Sequence, residues 1–436
     1  MSHDPRRNHQ PAPAKAGKRR VVMILGPGLI TGASDDDPSG IATYSQAGAQ
    51  LGFSVTWTLL FSYPLMAAIQ EISARIGRTT GRGIAANIRN HYSGWILQPI
   101  VALLLVANTI NIGADLGAMG DALGLLVGGP RLFYVMLFGV VCAALQIWVP
   151  YKRYASVLRW LTLSLFTYFG TVLVVRIPWG ELARGFFVPT FTADAGFWTT
   201  VVAILGTTIS PYLFFWQASQ EVEETHRIHG RKPLVRAPEQ GPGELGRIRL
   251  DTYIGMAFSN LVGLAIMVTT AATLHPAGVT NIETSTQAAQ ALRPVAGAFA
   301  FTIFTLGILG TGLLAVPVLA GSAAYALAEA RGWPEGLAHK PKAAVAFYAT
   351  IAVSTMVGAL INFSPIDPIK ALYWSAVING VAAVPVMAIM MMMTANRRIM
   401  GEFVVSGIVK TIGWVATGVM GAAVVGMVMA MAAGAA

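Results

Sequence analysis

This chain is short of charge. Only 11% of its 436 residues are Asp, Glu, Lys or Arg, against roughly a quarter in soluble domains. So few charges do not coat a globule of this size, and the expected solvent over most of the surface is lipid. Cysteine is scarcer still. Cys142 stands alone, which excludes an intramolecular disulfide, and its apolar surroundings in the sequence make it a small buried filler. No CxxC and no HExxH occurs. The seven histidines (His3, His9, His91, His226, His229, His275 and His339) fall in tails or connecting segments. A histidine metal cage or a histidine proton relay inside a membrane is therefore not expected. Nor does a His-rich or Ser/Lys catalytic constellation lie among the apolar runs, so the chain is not expected to be an enzyme.

Apolar residues are plentiful, at 55%, and glycine numbers 46, as expected of membrane helices that pack closely through small side chains. At roughly 20 residues per span, runs bounded by polar or Gly/Pro punctuation give eleven transmembrane helices. They lie near 21–50, 53–77, 97–127, 131–149, 155–176, 196–222, 251–273, 296–327, 343–361, 367–394 and 406–433. The all-α polytopic membrane class follows. Lys18-Arg19-Arg20 and the run Val21 to Ile30 resemble the basic and apolar regions of a signal peptide. Three aspartates follow and the apolar pattern resumes, so the reading is a retained first span with a polar interruption.

Lys and Arg total 30. With a cytoplasmic N-terminus and alternating loops, all but Arg131, Arg176, Arg184, Arg293 and Lys370 fall on the cytoplasmic side. Basic residues mark cytoplasmic loops, so the chain is expected in the plasma (inner) membrane with its N-terminus inside and its C-terminus outside. This distribution explains the net charge of +10 with the lipid bilayer as partner and no nucleic acid. The expected organisation is a basic tail over 1–20, a first repeat over 21–176, an extracellular loop over 177–195, a second repeat over 196–394 and an eleventh-helix region over 395–436. A cytoplasmic loop at 223–250 interrupts the second repeat. Its acidic start, Glu221, Glu223 and Glu224, reads as a solvated helix end.

Charge within a span persists only beside a cavity or a partner. Asp35, Asp36 and Asp37 stand inside the first run, directly before Pro38-Ser39-Gly40. Proline removes a backbone donor and glycine tolerates unwinding, so the helix is predicted to break there. A break at mid-membrane leaves carbonyls and amides for an ion or substrate. Aspartate with freed carbonyls is the donor set of a hard cation. Gly206-Thr207-Thr208-Ile209-Ser210-Pro211-Tyr212 repeats the pattern in the sixth run. Breaks in the first helix of each half fit a five-plus-five inverted repeat with its site at the repeat interface.

Other polar residues in the runs are weaker signals. Asn108, Asn111, Asp115 and Asp121 recur at helical spacing on the third run and either line a pore or join helices; Asp115 leans to function. Glu71 and Arg75 read as a helix-end ion pair. Ser375 and Asn379 on the tenth run are candidates to face the site, and Met391-Met392-Met393 reads as packing.

The run Gly26-Pro27-Gly28-Leu29-Ile30, Asp37-Pro38-Ser39-Gly40, Ala42-Thr43 and Gln46-Ala47-Gly48-Ala49-Gln50 resembles the first helix of NRAMP-family divalent metal transporters. The stretch from Gly206 to Tyr212 resembles that family's broken sixth helix. The resemblance covers essentially the whole chain and implies the LeuT-type fold. The family's metal-binding aspartate matches Asp37. Its asparagine becomes Gly40, its methionine becomes Ser210, and its histidines become Tyr212 and Gln217. The tenth-helix glutamine position falls on Ala376, and the third-helix acid of proton export corresponds loosely to Asp115. These changes remove soft ligands and keep oxygen donors, which suits a cation that retains its waters. The pattern resembles the NRAMP-related magnesium transporter branch.

The expected metal contacts are the Asp37 carboxylate, the nearby Asp36, the carbonyls of Gly40 and Thr207, and the Ser210 hydroxyl. Asn111, Asp115, Gln217 and Asn379 are pathway candidates. The expected function is import of a divalent metal ion, Mg²⁺ with Mn²⁺ also accepted, by alternating access without obligatory proton coupling. No cofactor is expected beyond the transported ion. The alternatives are a proton-coupled Mn²⁺/Fe²⁺ transporter and a sodium-coupled organic solute symporter.

Overall fold

In lipid each backbone amide must find its partner within the protein, and a helix does this within one segment. The computed structural model describes residues 27–149, 166–192 and 194–434, and no strand occurs among them. The basic tail at 1–20, the first run up to residue 26, and the stretch 150–165 with Lys152, Arg153 and Arg159 lie outside the described residues.

The main helices are α1 (Pro27–Asp35), α2 (Pro38–Leu51), α3 (Trp57–Thr80), α4 (Ile84–His91), α5 (Gly94–Val127), α6 (Arg131–Trp148), α7 (Phe166–Val174) and α8 (Trp179–Phe187). After them come α9 (Ala195–Thr208), α10 (Pro211–Arg227), α11 (Gly241–Thr273), α12 (Ala300–Arg331), α13 (Val345–Ile361), α14 (Pro368–Thr394) and α15 (Gly407–Gly434). Each of the eleven apolar runs holds helix. By length and apolarity the described residues contain seven candidate spans, α9 and α10 counting together, or up to eight with the pair α2–α3, which is bent by 109°.

The α9–α10 segment lies at the centre, with 94% of its apolar window buried and Trp216, Phe214 and Phe215 enclosed. Around it, α11 lies along both α1 and α2, α14 packs on α9 and α5, α3 packs on α10, and α12 packs on α5. Asn108 joins helices, donating to the Leu319 carbonyl of α12 at 3.0 Å. Glu71 and Arg75 form the expected pair, Cys142 is buried, and Met391 and Met393 are buried while Met392 is exposed.

Two loops differ from expectation. The 177–195 connection holds α8. The connector at 223–250 is short, because α10 runs to Arg227 and α11 starts at Gly241. Its acidic start is not solvated. Glu221 is buried and pairs with Arg247 at 2.5 Å, and Glu223 accepts from the Leu337 amide at 2.5 Å and from the Tyr325 hydroxyl. The rest of the connector folds around Arg78 of α3. Fully buried, it donates to Glu244, Gln240 and the Lys232 carbonyl, while Arg231 and Arg247 also meet Glu244. A buried guanidinium needs acceptors on several sides, and the connector folds inward to supply them.

Candidate functional site

Both predicted breaks are present, and each has a local cause. Between α1 and α2 only Asp36 and Asp37 are unwound. Pro38 occupies the first turn of α2, where its missing N–H costs nothing, and it holds Asp37 in extended backbone (φ −74°, ψ 170°). That geometry makes Asp37 the N-cap. Its Oδ1 accepts from the Gly40 amide at 2.7 Å and the Ser39 hydroxyl at 2.8 Å. The second break, at Ile209 and Ser210, also has a proline in the first turn, Pro211 of α10, but its N-cap, Ser210, makes no side-chain bond to that turn. Ser210 Oγ donates back to the carbonyls of Gly206 and Thr207, at 2.8 and 3.0 Å. The hydroxyl thus satisfies part of the backbone that the break exposes.

Glycine brings the breaks together. A Cβ on Gly40 would stand 3.2 Å from Thr207 Oγ1 and 3.5 Å from Asp37 Oδ1, so α2 lies close against the Thr207 side chain of α9. A Cβ on Gly206 would meet the Gly380 amide of α14 at 2.5 Å, so α9 and α14 touch backbone to backbone. The tenth run is drawn to the site in this way.

Asp37 is 1% exposed. With Oδ1 held by the cap, Oδ2 faces Asn111 Nδ2 of α5 at 3.2 Å and the Tyr212 hydroxyl of α10 at 3.5 Å. Asn111 also accepts from the Ser375 hydroxyl of α14 at 2.8 Å. Tyr212 reaches the Ser34 carbonyl at the end of α1, 3.2 Å away. Four segments therefore converge on one carboxylate. Among the described residues no three His, Cys, Asp or Glu side chains form a metal-holding group. The donors around Asp37 are one carboxylate and neutral hydroxyl, amide and backbone groups.

The remaining candidates divide. Asp115 lies one turn along α5 from Asn111, fully buried, with no hydrogen-bond partner for either oxygen among the described residues, and within electrostatic reach of Asp37. Asn379, one turn beyond Ser375, is buried with its amide likewise unpartnered. Gln217 is drawn elsewhere, accepting from Thr31 on α1. Asp36 turns toward α11, where it accepts from Ser259 at 3.1 Å. Sequence reasoning missed Tyr212 as a tie between α10 and α1, having counted it only as a lost histidine. It missed Ser259 altogether, since a lone serine in an apolar run usually bonds its own helix. Past the breaks, a cavity of about 500 Å³ opens beside the ends of α2 and α9, lined by Gln46, Gln50, Thr199 and Tyr373 among others.

Known proteins share this architecture. The chain is 27% identical over 415 residues to the divalent metal cation transporter MntH of Klebsiella pneumoniae, covering 92% of each. The crystal structure of a mutant manganese transporter from Eremococcus coleocola superposes with a TM-score of 0.71 at 17% identity, covering 95% of this chain and 87% of that one. Mhp1, a nucleobase-cation-symport-1 family transporter, superposes at 0.55 with 14% identity, covering 93% of this chain and 92% of its own. These likenesses make the fold the LeuT type with its broken helices. Residues 28–430 match the family described as natural resistance-associated macrophage protein-like, and the chain belongs to that Nramp family.

Proposed function

We propose that this protein imports divalent metal cations, Mg²⁺ with Mn²⁺ also accepted, by alternating access around Asp37 and without obligatory proton coupling. One observation carries the reading. The cap holds Oδ1 of Asp37 and leaves Oδ2 between α5 and α10, where its hydrogen-bond partners among the described residues are the neutral Asn111 amide and Tyr212 hydroxyl. When a cation arrives, the Tyr212 hydroxyl rotates and the Asn111 amide turns end for end, so that each presents an oxygen. Among the described residues the hydrogen-bond partners of Asp37 are hydroxyl and amide groups, and hard oxygen donors with room for water suit Mg²⁺. The named relatives, a divalent metal cation transporter and a manganese transporter, support the substrate class. The Lys and Arg distribution supports a cytoplasmic N-terminus, an extracytoplasmic C-terminus and an inner-membrane location.

Asp115 favours a second reading, a proton-coupled Mn²⁺/Fe²⁺ transporter, because a buried carboxylate without a partner is costly unless it serves transport. Metal flux into proteoliposomes with and without a pH gradient tests both. Flux that ignores the gradient and vanishes in Asp37→Ala supports the first reading. Wild-type flux in that variant defeats it, and metal-driven acidification of the lumen selects the second.

A further inference from the structure

Away from both breaks, a groove of about 600 Å³ runs between α5 and α13. Leu105, Val106 and Ile110 line it on α5, and Ala349, Val353 and Val357 on α13. Val106 and Val353 are exposed, so the groove opens outward. Three hydroxyls in its wall are already engaged: Thr109, Thr350 and Ser354 each donate to a carbonyl of their own helix, at 2.7, 2.9 and 3.1 Å. What the groove offers an occupant is therefore hydrocarbon.

Its length and its end match one lipid leaflet. The α13 wall runs from Ala346 to Val357, about 17 Å at roughly 1.5 Å per residue, close to half of a hydrocarbon core about 30 Å thick. Trp333, in the connection between α12 and α13, walls the near end. Gly332 in left-handed backbone (φ 71°) turns the chain there, and the Trp333 amide bonds the Ala328 carbonyl at 2.9 Å. Tryptophan, apolar with one polar edge, is a side chain of the headgroup level.

The free charges at that end are of one sign. Arg331 stands two residues before Trp333, and Lys340 and Lys342 shortly precede Ala346. All three are exposed, and among the described residues no carboxylate pairs with them. The acids of this region are engaged inward. Glu329 accepts from the Ala86 amide and the Ser219 hydroxyl, and Glu223 accepts from the Leu337 amide. Burial and the charge of Glu329 raise the Glu335 carboxyl to about 9, so near neutral pH it does not offset the three cations.

We propose that this groove binds one anionic phospholipid, with an acyl chain between α5 and α13 and the phosphate at Arg331, Lys340 and Lys342. An apolar channel one leaflet long that ends in unpaired positive charge complements such a lipid at both of its ends. The site stands apart from Asp37 and does not depend on the divalent reading.

Purified full chain, stripped of lipid in detergent, is titrated with palmitoyl-oleoyl phosphatidylglycerol or with phosphatidylcholine of the same chains, and complexes are counted by native mass spectrometry. One phosphatidylglycerol per chain is expected, held at least tenfold more tightly than phosphatidylcholine. Arg331→Gln, Lys340→Gln and Lys342→Gln combined should remove that preference. Ala349→Trp, which fills the groove from an exposed position, should weaken phosphatidylglycerol at least tenfold. An unchanged melting temperature shows that each variant is folded, and Val353→Trp fills the same groove should Ala349→Trp fail to fold. Four results overturn the proposal: equal binding of the two lipids by the wild type; phosphatidylglycerol binding indifferent to the charge and groove substitutions; glycerol phosphate competing as well as the whole lipid; or a dimer of chains, lost in Ala349→Trp, in place of bound lipid.

Discussion

Asp37 holds two roles in one side chain, and substitution separates them. As N-cap its Oδ1 bonds the Gly40 amide and the Ser39 hydroxyl; as an ion ligand it supplies the charge. Asparagine caps a helix as well as aspartate does, whereas alanine loses about 1 kcal/mol. Asp37→Asn therefore keeps α2 in place, and in metal-free buffer it melts no lower than the wild type, since a buried charge has gone. Asp37→Ala melts ~2 °C or more below Asp37→Asn, at about 2 °C per kcal/mol for a large chain. Both lose the charge. Two unit charges about 4 Å apart at an effective dielectric near 20 attract by roughly 4 kcal/mol. At about 1.4 kcal/mol per decade, removing that attraction weakens binding by about a thousandfold, and a divalent ion makes this a lower bound. Mn²⁺ uptake by proteoliposomes, taken over a wide concentration range beside thermal melts, checks both roles. Wild-type uptake affinity in Asp37→Asn would refute the assignment of the charge. Equal melting of the two variants would refute the cap.

Other outcomes follow from the same structure. Ser210→Met places a thioether at the second break, and competition uptake should move toward Mn²⁺ over Mg²⁺ by about tenfold; an unchanged ratio would separate Ser210 from the site. Arg78→Ala removes a buried cation from Glu244, which keeps Arg231 and Arg247. The loss should sit near the low end for a broken buried pair, about 3 kcal/mol, read as a lowered melting temperature with uptake affinity unchanged. Glu335, in the connection between α12 and α13, has its carboxyl raised to about 9 by burial and by the nearby charge of Glu329. A raised acid stabilises the fold most below its ordinary value near 4.5 and loses that contribution as pH climbs to 9. Melting of the wild type should fall across that window, and Glu335→Gln should flatten the fall; parallel curves would contradict it.

Much of the fold was legible because lipid imposes a severe code. Long apolar runs, a proline inside a run and basic loops each have few structural answers, so both breaks fall within the expected segments, 35–40 and 206–212. The connector at 223–250 misled because its charges read as solvated. Their partners lie far along the chain: Glu221 meets Arg247, Glu223 meets Tyr325 and the Leu337 amide, and Glu244 meets the buried Arg78, 166 positions away. Gln217 has a partner that the sequence does not point to. Its place on the sixth helix made it a pathway candidate, and Thr31 on α1 donates to it.

By itself, the sequence determined the helical membrane class, the two interruptions and the aspartate at the first, since these depend on local backbone chemistry and on apolarity summed over a span. Only the tertiary structure decided which groups face that aspartate. Gly206 lets α9 and α14 touch, Asn111 and Tyr212 reach Asp37 from α5 and α10, and Ser375 of α14 holds Asn111, while Asp35 and Asp36 turn to Ser259. Side chains from distant segments meet only where backbones are allowed close, and no local pattern records which ones those are.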